Sequence, residues 1–480
     1  MSVRRKVENT FLSLGLIFGL LFVFLVPPLQ TADEDSHFKK SYLIASLHIF
    51  PEVGPGGIIG NYIPQSILDF ENKHRYLMGN MDAKYTYKSQ YFDSHLEVNK
   101  GENTFIEYST AKANPILFIP QALGMFILKV TIDNPLFHLG DRFSPINYMY
   151  MGRIFNLLFY LIICYFAIRK IPFMKNALFL ICLMPMTFSL ASSLSYDAVI
   201  ISTLFLFIAV ILKAAYDPSV VRISKRTLYY FIFFSIVLIQ FKQVYFPLIF
   251  LYWLIPVDKF MNKKDKLLWF SLMLASGIVS YLCWSFFMGL LLKGGSSSTV
   301  SHAAEQVKFI LGSPFEYIFI LLHSLVAGFK FYFIGFVGNL GWLDTNFPYI
   351  FIILYYIVLV AAVILDKNEQ NTKINLKHKA IIFSIGLLII ALIETALYVI
   401  WTSVDGIGGV GASIISGVQS RYFLPISIPL LVIFHNNLLK RFKHATLIND
   451  VMNSFVPSFV IFSMILTTII LLLRYWIPVL

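Results

Sequence analysis

Long apolar stretches alternate with short polar segments along almost all of this chain. The first apolar stretch runs from Phe11 to Val26 and is followed directly by Pro27-Pro28. A stretch of this length matches the roughly 30 Å hydrocarbon core of a bilayer. The pattern therefore predicts an all-α polytopic integral membrane protein with about 11 transmembrane helices (roughly 10–13).

The later spans are set by polar breaks and by loop charge. The stretch 229–255 is interrupted by Lys242-Gln243 and by Pro247, and it is interpreted as two short spans. One long span would place the next group of lysines on the opposite side of the membrane, against the positive-inside rule. The remaining predicted spans lie near 148–170, 177–190, 197–221, 267–292, 349–365 and 380–401. Of the last two spans, one begins near 419 and the other ends near 473.

Two apolar segments are not counted as spans. Pro115 to Val130 is short and contains Pro120, which favours a helix lying at the outer interface. The segment 314–337 is interpreted as re-entrant or surface-lying, because a crossing there would place the following lysines outside. The prediction is a single transmembrane domain over 1–480, with a first extracytoplasmic loop with interfacial helices at 29–147. A second large extracytoplasmic loop or re-entrant segment covers 293–348.

Composition supports this class and sets the orientation. The chain is 58% hydrophobic and 13% charged, which no soluble domain of 480 residues could bury. Its net charge of +12 comes from short basic loops, as the positive-inside rule requires, so no nucleic-acid partner is expected. Arg4, Arg5 and Lys6 place the N-terminus in the cytoplasm, as Lys440, Arg441 and Lys443 do for a later loop.

Span one is followed by Asp33, Glu34, Asp35 and His37, which the topology places outside. Charges at a lipid boundary need partners or water, so polar residues at several span ends are interpreted as one shared cavity. The alternative is a set of unrelated anchors. No metal site is assigned and no cofactor is required, although Asp33, Glu34 and His37 share a helical face that could hold a divalent cation. The further polar residues are Arg153, Tyr196, Asp197, Lys242, Asp344, Gln419 and Arg421.

Several sequence patches resemble the bacterial family catalogued as "domain of unknown function 2142". The match includes D-E-x-x-H-F after the first span and a proline-rich patch near 114–124. It also includes S-x-S-x-D-A at 193–198, G-x-L-G-W-L-D-T at 338–345 and G-V-Q-x-R-Y at 417–422. Ser420 stands where the family pattern has glycine, Asn114 where it has serine and Phe118 where it has tyrosine.

That family is similar to the GT-C glycosyltransferases, in which an acid of the first external loop is the catalytic base. The resemblance implies that this acid is Asp33 or Glu34. We expect Asp33 to be the base, with Glu34 orienting or replacing it and His37 bonding acceptor or phosphate. The leaving phosphate needs cations, for which Arg421, Lys242 and Arg153 are expected, with Gln419 beside them. Supporting roles are expected for Asp197, Tyr196, Asp344, Trp342 and Tyr422.

The expected activity is inverting transfer of a sugar from a polyprenyl-phosphate donor to a lipid-linked or surface glycan, such as O-antigen. It would occur at the outer face of the bacterial cytoplasmic membrane, among membrane lipids. A transporter or flippase of lipid-linked glycans is the main alternative. It predicts an internal inverted repeat, which the sequence does not show. A non-catalytic envelope-assembly partner would leave the acid cluster without a purpose.

Overall fold

A computed structural model of the chain describes residues 7–96, 103–132, 144–298, 300–366, 374–436 and 445–478. The basic residues used for orientation at 4–6 and at 440–443 lie outside these ranges. The fold is helical, with short strands only in its polar segments.

The helices begin and end largely at proline or capping residues. Pro27-Pro28 follow the first helix, and prolines occupy the first turns of the helices that begin at Pro145, Pro185 and Pro314. The α-helices are α1 Val7–Leu25, α2 Glu34–Ala45, α3 Gln65–His74, α4 Tyr87–Ser94, α5 Ile119–Ile132, α6 Pro145–Lys170, α7 Lys175–Cys182, α8 Pro185–Ala191, α9 Asp197–Tyr216, α10 Lys225–Phe241, α11 Lys263–Leu291, α12 Ala303–Gly312, α13 Pro314–Gly338, α14 Tyr349–Ile364, α15 Leu376–Leu397, α16 Ser427–Leu431 and α17 Ala445–Tyr475.

Short strands and tight helices complete the polar segments. Strands β1 Glu52–Val53, β2 Ile59–Pro64 and β3 Asn103–Ile106 form an antiparallel sheet, and β4 Asn339–Leu340 pairs with β5 Thr345–Asn346. A π-turn, Tyr398–Thr402, extends α15. The 3₁₀ segments are Pro55–Gly57, Arg75–Leu77, Pro115–Phe118, Gln243–Leu254, Val257–Lys259, Ser420–Ile426 and Val432–Phe434.

Among the described residues, seven helices have the length and apolar composition to cross a bilayer, and four shorter apolar helices accompany them. This confirms an all-α polytopic membrane protein, while the total of about eleven spans stays a prediction. The predicted span 177–190 is two short helices, α7 and α8, that part before Pro185. The predicted break in 229–255 is present, since α10 ends at Phe241 and a 3₁₀ helix begins at Gln243.

Side-chain contacts between helix termini show that the termini lie at two opposite ends of the bundle. At the first, which we call the basic end, Lys175 lies 4.0 Å from Glu8 and Lys259 donates to the carbonyl of Ala214 at 2.8 Å. At the other, which we call the site end, Asp33 at the start of α2 meets Asp197 at the start of α9 through a shared arginine. The residues predicted as extracytoplasmic therefore gather at the site end.

Helix α13 crosses α15 rather than running beside it. Tyr317 and Tyr332, about four turns apart on α13, hydrogen-bond the adjacent residues Thr395 and Glu394 of α15. Both termini of α13 lie near site-end segments, since Gly338 leads into β4 and its neighbour α12 contacts the π-turn that ends α15. The helix is continuous and long enough to cross a bilayer. Its course across α15 nevertheless suits the surface-lying interpretation, which stays a prediction.

The apolar segment 115–130 forms a 3₁₀ turn and then α5. Pro120 falls in the first turn of α5, where its missing N–H has no hydrogen bond to lose. The proline therefore does not interrupt the helix. Helix α5 packs closely on α6, because a Cβ at Gly124 would lie only 2.4 Å from the carbonyl oxygen of Met151.

The end of the last helix fastens the predicted first extracytoplasmic loop (29–147), which we call the outer segment, to the bundle. The Tyr85 N–H donates to the carbonyl of Tyr475 at 2.7 Å, and Arg474 donates to the carbonyl of Leu77 at 2.8 Å. The indole of Trp476 donates to a carbonyl at the end of α1 at 2.7 Å. Residues far apart in sequence therefore close one face of the site end together.

A buried ion pair joins α1, α2, α6 and the turn before α9. Arg153 donates to both carboxylate oxygens of Glu34 at 2.7 Å, and neither side chain is exposed. The guanidinium also donates to three carbonyls where α1 ends, those of Val23, Val26 and Pro27. Proline at 27 and 28 leaves such carbonyls without helical donors, so the arginine completes the end of α1.

Replacing Arg153 by methionine should therefore destabilise the protein strongly. Glu34 would stay buried without a counter-charge, a loss that costs about 3–5 kcal/mol in buried pairs. The double variant Arg153→Met/Glu34→Leu should recover part of the loss, because it leaves no unpaired charge. The measurement is the midpoint of thermal unfolding in detergent.

A control is Lys213→Met, which removes the half-exposed lysine of the pair with Asp217. Asp217 keeps its hydrogen bonds from Ser219, and the lysine is half-exposed. Losing this contact should cost only about 0–1 kcal/mol, so the midpoint should stay close to that of the wild type. An Arg153→Met protein that melts like the wild type would contradict the structural role of the pair.

Candidate functional site

Asp33 is held at the turn between α1 and α2. Its backbone lies in the left-handed region, with φ 62° and ψ 8°, a conformation that aspartate tolerates better than most residues. The N–H of Ala32 donates to the carbonyl of Gly341 at 3.1 Å, which fixes the turn from the opposite loop. The Asp33 side chain is 42% exposed, so its carboxylate can reach solvent and a ligand.

Four alternating charges form a chain that starts at Asp33. The Arg421 guanidinium donates to the Asp33 carboxylate, and its Nε lies 3.2 Å from Asp197 Oδ2 without donating a hydrogen bond. The Lys242 ammonium donates to the other oxygen of Asp197 at 3.1 Å. Arg421 is 4% exposed and Lys242 is 25% exposed. The two cations balance the two carboxylates; Arg421 and Asp197 are buried, whereas Asp33 and Lys242 are partly exposed.

Interruptions in the helices place these charges together. Lys242 stands between α10 and the 3₁₀ helix that follows, in an extended conformation with φ −147° and ψ 119°. Arg421 belongs to a 3₁₀ turn, and Asp197 is the first residue of α9. Non-helical backbone at membrane depth is tolerated where it lines a protein cavity. The four charges, predicted from separate span ends, thus lie within one site.

Aromatic rings frame the two cations. The Lys242 ammonium lies 4.9 Å from the ring centre of Tyr196 and 4.6 Å from that of Tyr422. The Arg421 guanidinium lies 5.5 Å from the Tyr422 ring, and the Tyr245 hydroxyl donates to the Tyr422 carbonyl at 2.9 Å. Ring faces attract cations most strongly where water is excluded. The predicted supporting residues Tyr196 and Tyr422 therefore orient Lys242.

His37 lies behind the charge cluster. Its ring centre is 4.5 Å from that of Tyr196 and 5.9 Å from that of Phe118, and its Nδ1 is buried without a hydrogen-bond partner. Burial lowers the pKa of His37 to about 4, which the nearby carboxylates oppose and the cations reinforce. The imidazole is therefore neutral at physiological pH, and Tyr196 separates it from Lys242.

The buried ion pair bears on two predicted roles, Glu34 as the residue that orients or replaces the base and Arg153 as a ligand of the donor phosphate. Glu34 also accepts from the N–H of Leu194 at 3.0 Å, and the Arg153 donors are occupied by Glu34 and by backbone carbonyls. Both side chains are fully buried, so in this structure neither faces the cleft. They hold the turn that carries Asp33, which agrees with an orienting Glu34, while substrate contacts by either residue stay a prediction.

The remaining predicted residues lie around the cluster. Asp344 accepts from Arg474 at 2.8 Å and from the N–H of Gly79 at 3.1 Å, so it links the outer segment to α17. Trp342 donates to the carbonyl of Leu29 at 3.0 Å. Gln419 lies beside Arg421 at a small recess, and its buried Oε1 has no hydrogen-bond partner.

A polar cleft opens beside Asp33, next to the charge cluster. Its volume is about 500 Å³, within the usual range for ligand sites. Its polar lining comprises Asp33, Asp35, Ser36, Lys39, Glu71, Asn72, Arg75, Glu107, Tyr108, Ser109 and Trp342. Asp33 belongs to both this cleft and the charge cluster, so its carboxylate stands at the boundary between them.

The other charged residues of the cleft were not predicted from the sequence. Lys39 lies 3.3 Å from Asp35, and Arg75 lies 2.6 Å from Glu71. Burial raises the pKa of Glu71, but Lys39 and Arg75 outweigh it and hold that pKa below its usual value. Both pairs have i,i+4 spacing, a signal visible in the sequence. Only the packing of α2 against α3 shows that they face one cleft.

Within the ranges that the structure describes, no three His, Cys, Asp or Glu side chains are grouped as metal ligands would be.

The burial of neutral His37 should make stability depend on pH. Unfolded His37 takes up a proton below its ordinary pKa of 6.5, whereas in the folded protein it stays neutral down to about pH 4. Its contribution is therefore complete above pH 6.5 and is lost as the pH falls towards 4. The thermal midpoint of the wild type should drop more steeply across this interval than that of His37→Asn. Parallel curves for the two proteins would contradict the assignment.

Comparison with known proteins places the chain in a family but gives no activity. No curated protein and no solved structure matches it. The model of the family described as "Predicted membrane protein (DUF2142)" matches residues 16–430. This range includes Asp33, Asp197, Lys242 and Arg421. The chain therefore belongs to the family described as "Predicted membrane protein (DUF2142)".

Proposed function

We propose that this protein is a glycosyltransferase that moves a sugar from a polyprenyl-phosphate donor to a cell-envelope glycan, with inversion at the anomeric carbon. The observation that carries the proposal is the position of Asp33. Its carboxylate faces a cleft wide enough for an acceptor on one side and contacts the Arg421 side chain on the other. A base between an acceptor site and a phosphate site is what this transfer requires.

The proposed step breaks one bond and forms one. The acceptor hydroxyl oxygen attacks the anomeric carbon, and the bond from that carbon to the phosphate oxygen breaks with its electron pair on the phosphate. Asp33 takes the hydroxyl proton. The leaving phosphate gains negative charge, which Arg421 and Lys242 would stabilise through charge-assisted hydrogen bonds.

The charge balance of the cluster suggests how the donor would prepare the base. Arg421 and Lys242 are neutralised by Asp33 and Asp197 before any phosphate arrives. A phosphate at Arg421 would compete with Asp33, which is the more exposed of its two carboxylate partners. Donor binding would thus turn the Asp33 carboxylate towards the cleft. Gln419 would bond the phosphate or its sugar beside Arg421.

The location follows from the proposed donor and from the charge of the loops. The short loops of the basic end carry Arg169, Lys170, Arg222, Lys225 and Arg226. A cytoplasmic basic end would put the charge cluster at the outer face of the bacterial cytoplasmic membrane. The lipid chain of the donor would stay in the bilayer while its sugar reaches the cleft. Because two side-chain cations serve the phosphate, the proposal requires no divalent cation.

Asp33→Asn should reduce sugar transfer by about 10²–10⁴-fold, the usual contribution of a general base. Asparagine tolerates the left-handed backbone, so the turn should be kept. The assay uses purified protein in nanodiscs, radiolabelled undecaprenyl-phosphate hexoses as donors and lipid-linked envelope glycans as acceptors. The label in the glycan product and the released polyprenyl phosphate are both measured.

Asp82→Asn is the matched control, because Asp82 is an exposed acid of the same outer segment and lies outside the cleft. Its transfer rate should equal that of the wild type. Full transfer by Asp33→Asn would show that Asp33 is not the base. If the wild type moves labelled donor across a liposome bilayer but forms no glycosidic product, a flippase is correct and the proposed transferase is wrong.

Arg421→Gln and Lys242→Gln should weaken donor binding more than they change the fold. Hydrogen bonds to charged groups contribute about 1.5–3 kcal/mol, so the donor Kd should rise roughly 10–100-fold. Native mass spectrometry with undecaprenyl-phosphate glucose measures this affinity, and size-exclusion profiles check folding. Lys308→Gln, at an exposed site-end lysine of α12, should leave the Kd unchanged. Unaltered donor affinity in both cluster variants would refute the phosphate site.

A further inference from the structure

The cleft beside Asp33 has the wrong charge for an anionic ligand. Four carboxylates line it, those of Asp33, Asp35, Glu71 and Glu107, against two cations. Both cations contact these acids, since Lys39 contacts Asp35 and Glu71, and Arg75, which is 60% exposed, contacts Glu71. The lining therefore has two more acids than cations, and it offers a ligand many hydrogen-bond acceptors. A ligand that carries many O–H donors and no negative charge would complement such a lining.

Trp342 gives the cleft an aromatic wall of fixed orientation. Its indole N–H donates to the Leu29 carbonyl at 3.0 Å, so the polar edge of the ring is satisfied within the protein. The same side chain lines the cleft and a smaller recess next to it. A rigid ring offers apolar area at little cost in conformational entropy. The C–H face of a sugar ring is a suitable partner for such a surface.

The recess below Trp342 contains a buried acceptor without a donor. Gln30 is 1% exposed, and its Nε2 donates to the carbonyls of Pro28 and His74, each at 3.2 Å. These two bonds fix the amide, and its Oε1 has no hydrogen-bond partner. The recess shares Asp35, Glu71, Arg75 and Trp342 with the cleft. A buried acceptor left unpaired costs about 1–3 kcal/mol, which a ligand hydroxyl would recover.

We infer that the cleft is an acceptor subsite for an uncharged glycan, with one sugar ring against Trp342 and a hydroxyl donated to Gln30. This rests on the proposed function and names its acceptor class. The two halves of the site then carry opposite charge. The Arg421–Lys242 half takes the anionic phosphate, and the carboxylate-lined half takes a neutral sugar and disfavours uronic acids and phosphorylated glycans.

Binding to the full chain in nanodiscs, without any donor, tests the inference. The probes are neutral trisaccharides of glucose, galactose, mannose and N-acetylglucosamine, with trigalacturonate as the anionic comparison. Saturation-transfer NMR gives the affinity of each. At least one neutral trisaccharide should bind, and trigalacturonate should bind at least tenfold more weakly. Failure of every neutral probe, or equal binding of trigalacturonate, would overturn the inference.

Two variants locate the subsite. Trp342→Leu should weaken binding of the neutral trisaccharide about tenfold or more, whereas Trp342→Phe should keep it within about threefold, because phenylalanine retains a ring face. Trp253→Leu, at an exposed tryptophan of the basic end, is the control and should bind like the wild type. Trp342→Leu protein that binds normally would disprove the aromatic wall.

The outcome also separates this inference from the proposed transfer. Binding needs no catalysis, so trisaccharide affinity is measured on the wild-type protein whether or not that protein transfers sugar. Neutral-glycan binding by a wild-type protein that transfers no sugar would sink the transferase proposal and leave the glycan subsite standing. Transfer to an anionic acceptor, without binding of any neutral trisaccharide, would overturn the glycan subsite and leave the transferase proposal standing.

Discussion

The site end depends on one constraint, the burial of two opposite charges with every strong hydrogen-bonding group satisfied. Arg153 and Glu34 have no exposure to water, so each would be costly alone. Together they occupy the carbonyls left free where prolines end α1, and they fix the first residue of α2. Asp33 precedes that residue directly and is held in a strained left-handed turn. The turn that holds the Asp33 carboxylate is therefore stabilised by its buried neighbour Glu34.

The charge cluster and the cleft differ in their charged groups and in their exposure to solvent. Arg421 is buried and Lys242 is mostly buried, and both lie beside aromatic rings, where charges interact more strongly than in bulk water. The carboxylates of the cleft lie in a wider and wetter space. Asp33 is the residue common to both, and it is more exposed than Arg421 or Asp197. Such a boundary position suits a group that changes partners during a reaction.

Much of this arrangement could be predicted from the sequence, because apolar length and loop charge are local signals. They placed Asp33, Asp197, Lys242 and Arg421 at one end, where the structure joins them within hydrogen-bond distance or close to it. They could not distinguish Glu34 from Asp33, since both follow the same span. Only the position of Arg153, which lies 119 residues further on, shows that Glu34 is the acid held in a buried ion pair.

The course of α13 was also ambiguous, because length and hydropathy do not distinguish a helix that crosses the membrane from one that lies across its neighbours. The cleft was not predicted, because it depends on how α2, α3 and the loop at Trp342 meet.

The contacts between the outer segment and the end of α17 set an order for biogenesis. Lys84 donates to the carbonyl of Arg474 across 390 residues of sequence. At synthesis rates of about 5–20 residues per second, the outer segment would leave the ribosome roughly 20–80 s before this partner exists. During that interval Lys84 and Tyr85 lack their carbonyl partners on the last helix, and Asp344 lacks its arginine. The polar segments next to the site therefore reach their final contacts only after α17 has been made.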